Sequence, residues 1–273
     1  MMNQEKHTLG FIGVGVMAGA ILNSTLNYAD ELNINPNDMY VYDLDDEKTS
    51  KYIKSGVNVA SSINEIFSQS KTVLIGVKPQ QFLSIFDGVV EFNMTTVVSI
   101  MAGVKIASIR EKLNQNIGIV RVMPNTPCVI GSGMIAMCFD NVEKEVKKKI
   151  LDIFKCCGQT LILSECKFDA VTSISGSGPA YVYSFIDGLI RGGIEGGLSY
   201  EDSKMLATQT IIGATKLAIA SDEPMSDLIN KVCSKGGTTI EAINYFEDNN
   251  FKIMISKAIE LCRIKSKELS KLY

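Results

Sequence analysis

A turn towards the end of the chain carries residues suited to binding a small anion. It runs Ser-Lys-Gly-Gly-Thr-Thr-Ile-Glu from Ser234 to Glu241. Gly236 and Gly237 let the backbone approach a ligand without an intervening Cβ, and Thr238 followed three residues later by Glu241 predicts a capping box that opens a helix. Such a helix start presents unpaired N–H groups and about half a positive charge. The pattern predicts a seat for a carboxylate, although alone it would be read as a turn into a surface helix.

A second glycine-rich segment lies near the beginning of the chain. An apolar run, 9–12, is followed by Gly13, Gly15 and Gly19. In a strand–turn–helix unit the first glycine permits the turn, the second lets a diphosphate lie against the backbone, and the third allows close helix packing. The next predicted strand ends in Asp43, near the spacing of roughly 20 residues at which a carboxylate reaches the ribose hydroxyls. Together these features predict a dinucleotide-binding site.

Strand and helix patterns alternate after this segment. Ser62 with Glu65 predicts a capping box, and 107–113 has helical spacing. Continuous apolar runs, typical of strands buried on both faces, occupy 72–77 and 95–100, and further strands are predicted at 117–122, 134–138 and 160–163. This alternation predicts a parallel, doubly wound sheet.

Ligands of doubly wound sheets bind beyond the carboxyl ends of the strands. Lys78, Ala102 and the loop 123–127, which contains Asn125, follow predicted strands at that edge. Lys78 and Asn125 are therefore candidate site residues. An equally weighted alternative is that both are loop residues whose side chains form hydrogen bonds with nearby backbone groups.

The pattern becomes helical from about Cys166. Residues 168–198 have apolar helical spacing interrupted by glycines and a proline at 176–179, and Ser199 caps the next helix. The wide apolar faces of these helices predict a homodimer. The expected fold is an α/β N-terminal Rossmann-like doubly wound sheet in residues 1–165 plus an all-α C-terminal dimerisation domain in residues 166–273.

Composition narrows the classes of function. A chain of 273 residues is long enough for two domains, and a formal net charge of −3 gives no basic field for nucleic acid. The polar start and the short apolar runs predict a cytoplasmic protein without membrane attachment. The one histidine, His7, argues against histidine catalysis and metal binding. The odd count of seven scattered cysteines predicts reduced, mostly core thiols.

Five motifs in this order resemble the pyrroline-5-carboxylate reductase family. They are Gly10-Phe11-Ile12-Gly13-x-Gly15, Val77-Lys78-Pro79, Met123-Pro124-Asn125-Thr126-Pro127, Ser175-Gly176-Ser177-Gly178-Pro179-Ala180-Tyr181 and Ser234-x-Gly236-Gly237-Thr238-Thr239-Ile240-Glu241-Ala242. The resemblance implies reduction of 1-pyrroline-5-carboxylate to L-proline with NADPH or NADH, the last step of proline biosynthesis. It also implies a helical dimerisation domain, an active site at the subunit interface, and assemblies that extend to larger rings.

The resemblance also implies roles for individual residues. Thr239 is the candidate catalytic residue, contacting the ring nitrogen, while the imine arrives protonated or takes its proton from water. The implied substrate-binding residues are Glu165, Ser234, Gly236, Gly237, Thr238 and Thr239. The implied cofactor-binding residues are Gly13, Val14, Gly15, Val16, Met17, Asp43, Val77, Lys78, Pro79, Met101, Ala102 and Asn125.

Two residues depart from the family pattern. Lys235 stands where relatives commonly have proline, which predicts a less rigid carboxylate loop. Asp43 stands where many relatives have a small hydroxyl residue, and a carboxylate there accepts from a ribose 2′-hydroxyl but repels a 2′-phosphate. The sequence therefore predicts a preference for NADH, which Lys48 and Lys51 would soften.

Two rival functions are weighed. A 3-hydroxyacid dehydrogenase would need a catalytic lysine after the glycine interruption, and residues 179–191 contain none. A non-enzymatic, dinucleotide-sensing scaffold would bind nucleotide without turnover, and it leaves the carboxylate-binding turn unexplained.

Overall fold

A twisted sheet of eight strands organises the first part of the chain in this computed structural model, which describes residues 8–87, 94–113 and 116–273. The strands are β1 (Leu9–Ile12), β2 (Met39–Tyr42), β3 (Asn58–Val59), β4 (Thr72–Ile75), β5 (Thr96–Ser99), β6 (Gly118–Met123), β7 (Gly133–Asp140) and β8 (Gly158–Ile162). Their spatial order is β3-β2-β1-β4-β5-β6-β7-β8. The first six pair in parallel, which confirms the Rossmann-like sheet and gathers their carboxyl ends at one edge.

The last two strands depart from the parallel arrangement of the first six. β7 pairs with β6 in antiparallel orientation, and β8 is parallel to β7. A parallel return needs a crossover of a dozen or more residues, usually a helix. The connection between Met123 and Gly133 is shorter and holds only a 3₁₀ turn, Thr126–Ile130, so β7 runs back beside β6.

Helices cover both faces of the sheet, as a doubly wound fold requires. The helices are α1 (Val16–Asn27), α2 (Ala29–Leu32), α3 (Asp46–Ser50), α4 (Ile63–Gln69), α5 (Ile106–Lys112), α6 (Lys144–Lys155), α7 (Phe168–Val171), α8 (Gly178–Glu195), α9 (Tyr200–Ala220), α10 (Met225–Val232), α11 (Thr238–Asp248) and α12 (Phe251–Leu269). Buried side chains of α1 and α6 pack on one face, and those of α4 and α5 pack on the other. Neighbouring strand residues alternate between the faces, since Val97 packs with α4 and α5 and Val98 with α1 and α6.

Ser62 and Ser199 are confirmed as N-cap residues, while the Glu65 carboxylate of the predicted capping box accepts from the Ser61 N–H instead of the Ser62 N–H. The Ser62 hydroxyl accepts from the Glu65 N–H at the start of α4, and the Ser199 hydroxyl accepts from the Asp202 N–H at the start of α9. The interruption in the long apolar segment is a π-helical turn, Thr172–Gly176, between α7 and α8. A turn of this kind is often found at functional sites.

The chain separates into two compact units. One comprises Met1–Ser177 and Cys262–Tyr273, and the other comprises Gly178–Leu261. The last turns of α12 thus belong to the same unit as the sheet. The domain boundary predicted after residue 165 stays a prediction.

The helical unit keeps many large apolar side chains on its surface. Examples are Tyr183, Leu206, Leu217, Ile219, Tyr245, Met254 and Leu261. Patches of this kind commonly mark protein–protein contacts. Among the helices of the described ranges, none is long and apolar enough to cross a bilayer.

Candidate functional site

The glycine loop after β1 has the conformation that a diphosphate-binding turn requires. Gly13 has φ of +80°, and a Cβ there would lie 2.7 Å from Val77 Cγ1, so a larger residue would be both strained and in collision. At Gly15 an added Cβ would meet no atom within 4 Å, and Gly15 is the N-cap of α1 with no side chain covering the helix start. The space beside Gly15 and the open N-terminus of α1 fit a nucleotide diphosphate.

A glycine that the sequence analysis did not select completes this loop. A Cβ on Gly76, just after β4, would lie 2.5 Å from Ala18 Cβ and 2.9 Å from the Gly13 carbonyl oxygen. Gly76 therefore allows α1 to lie close to the neighbouring strand end. A glycine within the apolar run 72–77 was the available sequence signal, because a glycine in a strand often marks the close approach of another part of the backbone.

Asp43 lies at the carboxyl end of β2 and holds the glycine loop directly. Its Oδ2 accepts from the Val14 N–H at 2.8 Å, and its Oδ1 accepts from the Asp45 N–H at 3.1 Å. The Lys48 ammonium is 3.5 Å from Asp43 Oδ1 and 3.3 Å from Asp45 Oδ2. The hydrogen bond that Lys48 donates to the Asp45 carboxylate, followed by the charge of Asp43, raises the pKa of Lys48. Asp43 thus fixes the loop while keeping a negative charge at the predicted ribose position.

The remaining candidate cofactor residues follow β4, β5 and β6 at the same edge of the sheet. Val77 and Pro79 are partly buried, Lys78 is exposed, and Ala102 is exposed. The Met101 side chain is in the core, so only its backbone is available to a ligand, and its N–H donates to Ser99 Oγ at 3.3 Å. Parallel strand pairing brings these residues to one edge, as the sequence predicted, while their contact with a cofactor stays a prediction.

Asn125 is tied to its own protein neighbours. Its Oδ1 accepts from the Met134 N–H at 2.8 Å, and its Nδ2 donates to the Ser175 carbonyl oxygen at 3.2 Å. The amide therefore joins the end of β6 to β7 and to the π-helical turn. This is the local role that the sequence left open as an alternative.

The predicted carboxylate-binding turn is formed by a glycine N-cap. Gly237 is the N-cap of α11, and its N–H donates to the Ser234 carbonyl oxygen at 3.0 Å. Gly236 has φ of +72°, which favours glycine, and a Cβ on Gly237 would lie 2.3 Å from Ser234 Oγ, so a larger residue there would displace that hydroxyl. Ser234 and Thr238 are exposed and Thr239 is partly buried.

The capping box predicted for Thr238 and Glu241 is wrong. Thr238 is the first residue of α11, and the N-cap Gly237 provides no side-chain oxygen. Glycine is tolerated as an N-cap, and the tight turn from Ser234 leaves no room for a Cβ at Gly237. The first N–H groups of α11 are thus not covered by an N-cap side chain, which suits an anion better than a capping box would.

Two protein-family profiles match this chain, one in its N-terminal part and one in its C-terminal part. The profile described as pyrroline-5-carboxylate reductase dimerisation matches residues 165–269, and the profile described as NADP oxidoreductase, coenzyme F420-dependent, matches residues 8–103. The pyrroline-5-carboxylate reductase of Aquifex aeolicus is 34% identical over 96% of this chain and 97% of its own length. That of Escherichia coli K12 is 32% identical over 96% and 98%. This chain belongs to the pyrroline-5-carboxylate reductase family.

Solved structures agree with this membership. The Plasmodium falciparum pyrroline carboxylate reductase with NADP bound is 34% identical and aligns with a TM-score of 0.85 over 97% of this chain and 99% of its own. Family membership confirms the resemblance seen in the sequence and the predicted fold class. The protein is a nicotinamide-dependent oxidoreductase that forms homo-oligomers through its helical region.

Within this family member, Glu165 is part of an ion pair that the sequence analysis did not predict. Its Oε1 accepts from Arg121 Nη1 and from the Ile106 N–H, both at 2.8 Å. Arg121 is 6% exposed, and its guanidinium lies 4.8 Å from the centre of the Phe168 ring. An arginine inside the apolar run 117–122 was the sequence signal, because a buried charge requires a partner. The substrate contact of Glu165 stays a prediction.

The thiols are free but less buried than expected. Cys128 and Cys157 are buried, Cys166 is exposed and the other four are partly buried. Burial raises the pKa of Cys128, and it raises the pKa of Cys157 to about 11, so neither thiol is an activated nucleophile near neutral pH. No group of histidine, cysteine and carboxylate side chains able to hold a metal occurs in the part of the chain that the structure describes, and His7 lies outside it.

The candidate residues are distributed over both compact units. The dinucleotide candidates and Glu165 belong to the unit that contains the sheet, and Ser234, Gly236, Gly237, Thr238 and Thr239 belong to the helical unit.

Proposed function

We propose that this protein reduces 1-pyrroline-5-carboxylate to L-proline, with its 234–239 turn as the seat of the substrate carboxylate. The observation that carries the proposal is the glycine N-cap of α11, in a family member that also has a glycine loop shaped for a diphosphate. The first feature suits a small acid and the second a dinucleotide. A reductase of a cyclic imino acid needs both.

The turn can bind a carboxylate with backbone groups and one hydroxyl. The N–H groups of Thr238 and Thr239 lie in the first turn of α11, where the helix dipole favours an anion. Ser234 Oγ lies beside Gly237, 2.3 Å from the position that a Cβ on Gly237 would take. Gly236 and Gly237 shape the turn, and the exposed Lys235 adds a positive charge close to it.

The role of the protein residues in the reaction is to orient the imine. The nicotinamide, when bound, supplies a hydride to the imine carbon. Thr239 holds the ring nitrogen through its hydroxyl, and the nitrogen carries a proton on arrival or takes one from water. The protein's ordinary threonine hydroxyl is too weak an acid to supply this proton alone.

The dinucleotide is held at the carboxyl edge of the sheet. The backbone of Gly13, Val14, Gly15, Val16 and Met17 faces the diphosphate, and Asp43 faces the adenosine ribose. Val77, Lys78, Pro79, Met101, Ala102 and Asn125 lie along the rest of the cofactor. Asn125 does so while its amide joins β7 to the π-helical turn.

NADH is the preferred cofactor in this proposal. The Asp43 carboxylate is fixed by the Val14 N–H at 2.8 Å, so its charge cannot swing away from a 2′-phosphate. Lys48 offsets part of the repulsion. The same proposal includes a dimer as the minimal unit of assembly. It also includes a cytoplasmic location, with binding to neither nucleic acid nor membrane.

The deciding assay follows oxidation of NADH and of NADPH with and without 1-pyrroline-5-carboxylate, and identifies proline as the product. Oxidation that depends on the substrate is expected. Nucleotide binding without turnover would instead support the scaffold alternative, and turnover of a 3-hydroxyacid would support the dehydrogenase alternative.

Thr239→Ala tests the role of the hydroxyl. We expect turnover to fall by about a hundredfold, the lower end of the range for general acid–base groups, while the Kd for NADH changes little. Thr208→Ala, which removes the hydroxyl of a threonine that is partly buried like Thr239 and lies in the middle of α9, is the matched control. Unchanged turnover in Thr239→Ala would remove Thr239 from the mechanism.

A further inference from the structure

A buried arginine sits near the cofactor edge of the sheet without an assigned role. Arg121 belongs to β6 and is 6% exposed. Burying a guanidinium in an apolar environment is costly unless it is paired, and a residue of this kind is often retained for the position it imposes on its partner. Its partner is Glu165, 2.8 Å away, and the Phe168 ring covers the guanidinium.

The same carboxylate oxygen reaches the start of α5. Glu165 Oε1 accepts from the Ile106 N–H at 2.8 Å, and Ile106 is the first residue of that helix. The N-cap residue, Lys105, makes no side-chain capping bond. Glu165 therefore supplies, from a position far along the chain, an acceptor for the first of the N–H groups that have no partner within the helix.

Ile106 closes a short turn that begins at β5. Met101 is anchored in the core at one end of this turn, and its N–H is bound to Ser99 Oγ. Gly103 has φ of +82°, and its Cα faces the backbone of Leu269 and Ser270 at the end of α12, where an added Cβ would be in van der Waals contact. The bond from Ile106 to Glu165 fixes the far end of the turn. Ala102 is exposed between these fixed points.

We infer that Arg121 and Glu165 are positioning residues for the cofactor-side turn at Met101–Gly103. Arg121 holds the carboxylate, the carboxylate holds Ile106, and Ile106 sets the turn that carries Ala102. Glu165 acts on this turn through α5, and this role is separate from the substrate contact that the family resemblance implies for it. The inference rests on the proposed dinucleotide site.

Two changes to Glu165 separate these roles. Glu165→Gln keeps an oxygen that can accept from the Ile106 N–H, so the Kd for NADH should stay within about threefold of the unchanged protein. The double variant Arg121→Met with Glu165→Leu removes the acceptor without leaving a buried charge unpaired. Its Kd for NADH, measured by fluorescence titration without substrate, should rise by about tenfold or more, as expected when a charge-assisted hydrogen bond is lost. The KM for 1-pyrroline-5-carboxylate reports the separate substrate contact of Glu165 and does not enter this comparison.

A backbone change tests the link independently. Ile106→Pro deletes the N–H at a first helical position, which proline tolerates, and Ile106→Ala truncates the side chain but keeps the N–H. The proline variant should show the larger rise in Kd for NADH. As a control, Arg110→Met with Asp140→Leu removes another ion pair of α5 and should leave this Kd unchanged.

Three results would overturn the inference. One is a Kd for NADH in the double variant that stays within about threefold of the unchanged protein at an unaltered Tm, which would leave the turn independent of the ion pair. The second is a lower Tm in the double variant with the Kd for NADH unaltered, which would make the pair merely structural. The third is equal behaviour of Ile106→Pro and Ile106→Ala. Failure of the unchanged protein to bind NADH would count against the proposed function instead.

Discussion

Replacing Asp43 with asparagine separates the charge of this residue from its hold on the glycine loop. The amide oxygen of the new side chain can still accept from the Val14 N–H, which Asp43 Oδ2 binds at 2.8 Å. The negative charge is lost. Selectivity against the 2′-phosphate of NADPH should therefore fall, while the conformation of the loop is kept.

The size of the effect follows from charge and exposure. Two unit charges about 5 Å apart repel by roughly 1.7 kcal/mol at an effective dielectric constant of about 40, between the values for a protein surface and for water. The Asp43 side chain is 13% exposed, and the Lys48 ammonium 3.5 Å away offsets part of its charge. About 1 kcal/mol should remain, which is roughly a fivefold change in selectivity.

The assay compares kcat/KM for NADPH and NADH in the unchanged protein and in Asp43→Asn. We expect the ratio of NADPH to NADH to rise about fivefold at low salt and by less at about 1 M salt, where screening is strong. Asp43→Leu, which loses the acceptor as well, should weaken binding of both cofactors. A ratio that stays constant in Asp43→Asn, or a strong preference of the unchanged protein for NADPH, would refute the reasoning.

Two further predictions concern the substrate turn and the buried thiols. Gly237→Ala should abolish most turnover and raise the KM for 1-pyrroline-5-carboxylate, because its Cβ would lie 2.3 Å from Ser234 Oγ. The control Gly188→Ala on α8, where an added Cβ meets no atom within 4 Å, should be active. Equal activity of the two variants would contradict the assigned turn. Because the pKa of Cys157 is raised from an ordinary 9.0 to about 11 in the fold, the free energy of unfolding should fall as the pH rises between these values. Cys157→Ser should flatten that slope in denaturant titrations, and an unaltered slope would assign it to other groups.

The parts of the site that depend on local backbone shape could be predicted from the sequence. Gly13 and Gly236 stand where positive φ is needed, and an apolar strand or a helix start lies beside each. The spacing of Asp43 also placed it at the end of β2. These predictions need only short segments of chain, for which the type of residue largely determines the backbone conformation.

The parts that depend on distant neighbours could not be predicted. Arg121 and Glu165 are joined only once β6 and the segment after β8 are folded together, and no local pattern identifies the pair. The reversal of β7 follows from a short connection whose consequence appears only in the sheet. At Thr238 the local rule for a capping box was misleading, because the tight contact between Ser234 and Gly237 had already determined where α11 begins.

Residues Cys262–Tyr273 belong to the same compact unit as the sheet, and this affects the order in which parts of the protein can fold. During synthesis, the segment Gly178–Leu261 is translated before that unit has all of its chain. The final packing of the unit that contains the sheet must therefore wait for residues 262–273 to emerge from the ribosome, even though its eight strands were made much earlier.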